Sequence, residues 1–247
     1  MKIAILSDIH SNLEALTACL AHARAQGAEQ YVVLGDIVGY GADPCACIGL
    51  VAELARQGAW VVRGNHDEAA LGGLIESMAF HARDAIYWTR EQLHQQERDF
   101  LQALPLRIID GNAYYTHASA ASPGSWVYVA SPAEAARCMR ATGLPLTFNG
   151  HVHHQTLYHL SGLGAAQAFN PRPGIAIPLT ARRQWLIIAG AVGQQRDGIP
   201  AAAYALYDRH HETLTFFRVP YDHAGAARKV RAAGLPERLA LRLESGN

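Results

Sequence analysis

The chain has 247 residues, 50% of them hydrophobic, and its 21 Lys plus Arg are balanced by 21 Asp plus Glu. That apolar content supports a sizeable core and excludes an intrinsically disordered chain. Zero net charge gives no general field for nucleic acid or an acidic membrane, so any anion specificity must come from a local site.

Ile3-Ala4-Ile5-Leu6 is a short apolar run that ends in Ser7-Asp8-Ile9-His10. It predicts a buried strand with polar residues at its carboxyl end. It is too short for the apolar part of a signal peptide, and no run in the chain approaches the roughly 20 residues of a membrane span. Leu13–Gln26 has helical apolar spacing and stops at Gly27, and Asn12 before it suits a helix cap. Tyr31–Leu34 runs into Gly35-Asp36, Pro44–Gln57 predicts a second helix closed by Gly58, and Trp60–Val62 runs into Arg63-Gly64-Asn65-His66-Asp67. Strand, polar loop and helix thus alternate three times, as in a parallel sheet covered by helices. Residues 68–104 read as amphipathic helix, with Trp88, Leu93, Phe100 and Leu101 as candidate core positions.

The second half changes character. Leu106–Ile109, Ala113–Thr116, Leu146–Asn149, Thr156–Leu160, Trp185–Ala189, Ala203–Tyr207 and Leu214–Val219 predict strands, and Pro132–Thr142 a helix between them. The residues after Asp222 read as helical, broken at Gly234-Leu235-Pro236. With no linker and no internal repeat, residues 1–247 are expected to form a single domain, with 222–247 as a helical segment packed on it. Cys19, Cys45, Cys47 and Cys138 show no CxxC pair, which suits core thiols in a reducing cytoplasm.

Five apolar runs end in side chains able to hold a metal: Asp8-x-His10, Gly35-Asp36, Gly64-Asn65-His66-Asp67, His117, and Gly150-His151-x-His153. Ligands of open α/β sheets bind beyond the carboxyl ends of strands, so the five can converge on one crevice. If these segments are extended, Asp8 faces the same way as His10, and His151 the same way as His153. Oxygen and imidazole donors without thiolate suit Mn²⁺ or Fe²⁺ first, with Zn²⁺, Co²⁺ or Ni²⁺ also accommodated. Seven candidate ligands (Asp8, His10, Asp36, Asn65, His117, His151 and His153) exceed the needs of one tetrahedral ion and fit two ions sharing a carboxylate.

These blocks, in this order over residues 3 to about 219, resemble the calcineurin-like metallophosphoesterase superfamily, and within it the small single-domain bacterial and archaeal members. The resemblance implies an α/β fold, a four-layer αββα sandwich of two mixed sheets flanked by helices, around a dinuclear centre. It implies that Asp8, His10, Asp36 and His153 hold one ion and that Asp36, Asn65, His117 and His151 hold the other. His66 matches the histidine that contacts phosphate and protonates the leaving group. Substrate-binding positions are then Asn65 and His66, with Arg196 of the glycine-rich 190–198 loop as a substitute phosphate clamp.

The sequence departs from the family at one place. Protein Ser/Thr phosphatases and symmetrical dinucleoside tetraphosphatases carry Gly-Asp-x-Val-Asp-Arg-Gly where this chain has Gly35-Asp36-Ile37-Val38-Gly39-Tyr40-Gly41. The acidic partner of the catalytic histidine and the clamping arginine are replaced by Gly39 and Tyr40, which argues against protein phosphatase activity. The expectation is a phosphoesterase acting through a metal-bound hydroxide on small, including nucleotide, phosphodiesters or phosphomonoesters. The alternative is a catalytically silent interaction scaffold, from which the completeness of the site argues away. Asp67 is read equally as tuning His66 or capping the helix after it. His154 is read as structural. The basic tail, including Arg228, Lys229, Arg231, Arg238 and Arg242, is read as a solvated helix face rather than a nucleic-acid site, because no aromatic residues interleave the charges.

Overall fold

Side chains alternate across the first strand, and burial on both sides shows that it has cover above and below. In the computed structural model, which describes residues 1–76, 78–160 and 164–247, β1 (Lys2–Leu6) sends Ile3 and Ile5 into one apolar core and Ala4 and Leu6 into another. A strand buried on both faces reads as a continuous apolar run, which is what the sequence shows here. Helix α1 (Leu13–Ala25) follows, its first turn capped by Asn12, whose Oδ1 accepts from the Ala15 N–H at 3.1 Å. Next come β2 (Gln30–Val33), α2 (Pro44–Arg56) and β3 (Trp60–Val61).

The helical stretch predicted over 68–104 is instead three helices: α3 (Asn65–Ala70), α4 (Phe80–Gln92) and α5 (Gln95–Ala103). Gly72, at φ 106°, takes a conformation that no helix contains, and so separates the first from the second. Ser77 of that stretch lies outside the described residues. Of the candidate core positions, Leu93 and Leu101 are buried, while Phe100 and Trp88 pack at the edges of two cores.

The second half runs β4 (Arg107–Asp110), β5 (Ala113–Thr116), α6 (Pro132–Thr142), β6 (Leu146–Asn149), β7 (Thr156–Leu160), β8 (Ala166–Phe169), β9 (Ala176–Pro178), β10 (Gln184–Ile188), β11 (Ala202–Asp208) and β12 (Thr213–Val219). It closes with α7 (His223–Ala232) and α8 (Glu237–Ser245), broken at the predicted place. Strands β8 and β9 were not predicted. Both are sheet edges, largely exposed, and one ends in proline, so neither carries an apolar alternation.

The strands form two mixed six-stranded sheets, β3-β2-β1-β11-β12-β9 and β4-β5-β6-β10-β7-β8. Ile3, Ile5, Val32 and Phe216 of the first sheet pack against Tyr115, Phe148, Leu157 and Ile187 of the second. Helices α1 and α2 cover the outer face of the first sheet, and α6 that of the second. The chain is therefore α/β, in αββα layers, as expected. The segment after Asp222 packs on Tyr40 and α4 through Ala227, Val230, Leu239 and Leu243. Strands β1–β2–β3 run parallel, as do β5–β6–β10, so the loops leaving their carboxyl ends gather at one rim. No described helix is long and apolar enough to cross a membrane.

Candidate metal centre

The loops at that rim are bent rather than extended. Eight of the nine non-glycine residues with positive φ among those described are Asp8, His10, Ser11, Asp36, Tyr40, Trp126, His151 and His153; only Glu212 lies elsewhere. The predicted strand periodicity is therefore not what brings Asp8 to His10, or His151 to His153. Left-handed turns do so, at φ 53° and 50° for the first pair and 68° and 69° for the second. Such strain persists where the surroundings over-determine it. Here backbone bonds tie the turns together: the His10 N–H donates to Asp36 O (2.9 Å), Asp8 N–H to Gly35 O (3.1 Å) and Gly193 N–H to Asp8 O (2.9 Å). Gly64 is required at the crossing, because a Cβ there would collide with the backbone N and the carboxylate of Asp36.

Each candidate ligand is held from behind and offers one atom forward. The Nδ1 atoms of His10, His117 and His153 donate to the carbonyls of Val38 (3.1 Å), Leu34 (2.7 Å) and Gln194 (2.5 Å). In the neutral ring that tautomer turns the Nε2 lone pair inward. His151 is reversed: its Nε2 donates to Trp126 O at 3.0 Å, leaving Nδ1 inward. Asp8 receives the His151 N–H on Oδ2 at 3.0 Å, and Asp36 receives the His66 N–H on Oδ1 at 2.8 Å.

The forward atoms form two groups. Asp8 Oδ1 lies 3.2 Å from His153 Nε2 and 3.8 Å from His10 Nε2. His117 Nε2 lies 3.0 Å from Asn65 Oδ1 and 3.1 Å from His151 Nδ1. Asp36 Oδ2 stands between them, 3.7 Å from His10 Nε2 and 3.3 Å from His117 Nε2. Asp8 Oδ1 is buried without a hydrogen-bond partner, and His10 Nε2 and His153 Nε2 approach to 3.2 Å although their Nδ1 hydrogens are already committed. A proton can relieve one such contact. Divalent cations relieve both groups, and the all-oxygen-and-imidazole donor set suits them.

Electrostatics favour the same occupant. Burial would raise the Asp8 carboxyl, but the adjacent His153 prevails and holds it well below the usual range. Asp36 is likewise lowered, by His117 and His66 against burial. Burial, aided by neighbouring histidines, pushes His151 down to about 3 and His10 well below its ordinary value, so both offer free lone pairs. His117 alone is raised, to about 9: burial opposes the charge and Asp36 outweighs it. A cation arriving there must displace that proton.

His66 sits differently. Asn65 and His66 open helix α3 rather than an extended segment, and the helical step of about 100° turns their side chains apart. The His66 ring lies 4.5 Å from Tyr40 and 4.7 Å from His10, centroid to centroid, and its Nδ1 has no partner. One His66 nitrogen also falls within 4.8 Å of ligand atoms of His10 and Asp36. Burial drives this imidazole down to about 4, so it stays neutral until an anion sits beside it. Asp67 does not tune it. Its Oδ2 accepts the Gly64 N–H (2.9 Å) and its Oδ1 those of Ile37 (2.8 Å) and Val38 (3.2 Å), capping α3 and fastening the β2 loop to it.

Gly39, where the family pattern has an acid, is at φ 90°, and a Cβ there would strike His66 Nδ1. Gly39→Ala is expected to cost ~1–3 kcal/mol of stability and to lower kcat by displacing His66. Urea denaturation and initial rates read the two effects, and an unchanged kcat would show that the close approach is incidental.

A family model described as calcineurin-like phosphoesterase matches residues 1–155, which carry every candidate ligand. The chain belongs to the calcineurin-like phosphoesterase family. An uncharacterized protein of Methanocaldococcus jannaschii is 35% identical over 252 residues, covering 99% of this chain and 98% of its own. A metallophosphoesterase from Sphaerobacter thermophilus of known crystal structure is 38% identical, with a TM-score of 0.88 over 100% of this chain and 99% of its own. A hypothetical protein from Pyrococcus horikoshii shares the fold, with a TM-score of 0.79 over 100% and 98% of the two chains at 19% identity. Membership, with the Asp/His cluster, makes the protein a metal-dependent phosphoric ester hydrolase.

Around this phosphoesterase's site, Tyr128 carries no sequence signal, and Tyr40 is marked in the sequence only by its departure from the family pattern. Tyr40 packs on both His10 and His66, and Tyr128 stacks on His151 at 3.9 Å and 19°. Both sit in loops without periodicity. The 190–198 loop shapes the site, since Gln194 orients His153 and Arg196 lines the cleft beside His66. Arg242, assigned by sequence to a solvated face, lines that cleft too, because α8 folds back over Tyr40. His154 is exposed, and all four cysteines are free.

Proposed function

We propose that this chain, working as a single domain, hydrolyses phosphodiester or phosphomonoester bonds of small substrates at a dinuclear centre. Asp8, His10, His153 and Asp36 would hold one ion; Asp36, Asn65, His117 and His151 would hold the other. The observation that carries this reading is Asp36 Oδ2, which faces His10 and His117 at once while its second oxygen is tied to the backbone. Mn²⁺ or Fe²⁺ matches the donors best. Four free thiols suit a reducing cytoplasm.

Two bound divalent ions would supply a water-derived nucleophile at neutral pH and neutralise charge on the phosphoryl oxygens. The protein supplies orientation. Carbonyl partners fix the imidazole tautomers, and backbone N–H groups fix the two carboxylates. His66 lines an open cleft and would meet the phosphate there. His66 would hydrogen-bond a phosphoryl oxygen and, having taken a proton from solvent, pass it to the leaving oxygen. Tyr40, at the position of the family's arginine, packs against the imidazole, and Gly39 at the position of its acid leaves His66 Nδ1 without a partner. Arg196 approaches from the hydroxyl side of Tyr40, its Nη2 3.4 Å from that oxygen.

Gly39 and Tyr40 remove the parts used on phosphoproteins. The expected result is metal-dependent hydrolysis of bis-aryl phosphates, abolished by chelation and restored by Mn²⁺, with little release of phosphate from phosphoserine protein. Efficient phosphoprotein dephosphorylation with no activity on diesters under any metal would overturn the substrate assignment. Absence of hydrolysis throughout would favour the scaffold reading.

A further inference from the structure

Beyond the metal ligands, the cleft is lined by two arginines, Arg196 and Arg242. Arg196 leaves the loop after β10 and Arg242 leaves α8, and their guanidinium groups meet at one acceptor. Gln194 Oε1 receives Arg196 Nη2 at 3.2 Å and Arg242 Nη1 at 3.4 Å. Neither arginine forms an ion pair with an Asp or Glu among the described residues. Arg242 Nε donates to a main-chain oxygen of Asn247, the last residue of the sequence, at 2.9 Å, and Arg196 Nε is buried with no partner. Burial and the Arg196 charge both push the Arg242 guanidinium down, and His81 across the cleft is lowered by burial and by Arg242, Arg238 and Arg196. Two like charges converging on one neutral oxygen repel unless an anion joins them.

The pair is built into the fold. Gln194 is 1% exposed; its carbonyl orients the metal-facing His153 while its side chain gathers the two arginines. Leu239, Ala240 and Leu243 of α8 are buried with Tyr40, which fixes where Arg242 emerges. Arg231 clamps that helix to α7 through Glu237 and Glu244. Arg196 reaches the hydroxyl of Tyr40, at the far end of the side chain whose ring packs on His10 and His66. An anion on the arginines and a phosphoryl group at the metal centre are read as different groups of one ligand.

We propose that Arg196 and Arg242 form a second anion subsite, which takes a further phosphate of the substrate. This deepens the hydrolase reading above and, for its substrate arm, rests on it. The preferred substrates are then phosphate esters carrying at least one more phosphate, either on the leaving group or on the group retained. Guanidinium forks match phosphate oxygens in charge and geometry.

The test has a binding arm that needs no catalysis. Inorganic pyrophosphate is titrated into metal-free protein by calorimetry. Wild type is expected to bind it, with Kd raised about tenfold or more in Arg242→Gln and in Arg196→Gln, and partly restored in Arg242→Lys. Arg228→Gln, on the exposed face of α7, controls for net charge. No binding to wild type, or an equal loss in Arg228→Gln, overturns the subsite. In the kinetic arm, kcat/KM of Mn²⁺-loaded protein is compared for an aryl ester with one phosphate and an ester with two. Arg242→Gln is expected to lower the ratio in favour of the second substrate about tenfold. An unchanged ratio beside Arg242-dependent pyrophosphate binding would mean that free phosphates alone use the subsite, and would overturn the substrate assignment. Arg242-dependent binding in a protein that hydrolyses nothing would sink the hydrolase reading and leave the subsite standing.

Discussion

Asp36→Asn is expected to empty both halves of the metal centre at once. The substitution keeps the side chain's shape and an oxygen for the His66 N–H, which Asp36 Oδ1 now accepts at 2.8 Å. It removes the charge on the oxygen that faces His10 at 3.7 Å and His117 at 3.3 Å. Without that charge His117 loses what lifts it to about 9, and the two ion sites lose their shared donor. We expect the fold to survive, metal content to fall well below that of Asp8→Asn or His151→Ala, and kcat/KM to drop by about 10³-fold or more, or about 4 kcal/mol. Circular dichroism checks the fold and elemental analysis the ions. Full metal occupancy in Asp36→Asn would remove the bridging role.

His66→Gln should do the opposite, keeping the ions and losing the chemistry. General-acid assistance is typically worth ~10²–10⁴-fold, or roughly 3–5.5 kcal/mol. The loss in kcat should be greatest for esters with poor, basic leaving groups and smallest for nitrophenolate, which needs little protonation. The close grouping of His66 with His10 and Asp36 makes metal content a necessary part of this test. Loss of an ion from His66→Gln would make His66 a ligand. Retained ions with an equal rate deficit for every leaving group would leave it a phosphate contact only.

What could be read in the sequence follows from where physical constraint is local. The alternation at Ile3–Leu6 and the apolar runs ending at Asp36, His117 and His151 reveal the sheet layers, because a strand buried on two faces has few alternatives. The same runs put the candidate ligands at strand ends, and the fold brings those ends to one rim. The bends that join them were not legible: Asp8 and His10 were read as one extended segment, but their positive φ is imposed by bonds from Asp36 and Gly193, which are distant in sequence. Helix α3 starts at Asn65, ahead of the helical stretch predicted from residue 68, because Gly64 hides a helix start that Asp67 caps from inside. Gln194 and Arg242 could not be found from periodicity at all. Their importance arises only where α8 folds over Tyr40 and meets the loop after β10. The edge strands β8 and β9 escaped for the complementary reason, having too little burial to leave a pattern.

Anomalous scattering from crystals of Mn²⁺-loaded protein would locate the ions that Asp36 is proposed to share. Two peaks per chain are expected, one beside Asp8, His10 and His153 and one beside Asn65, His117 and His151, with the Asp36 carboxylate touching both. A single peak at saturating Mn²⁺, or two peaks of which only one contacts Asp36, would contradict that sharing.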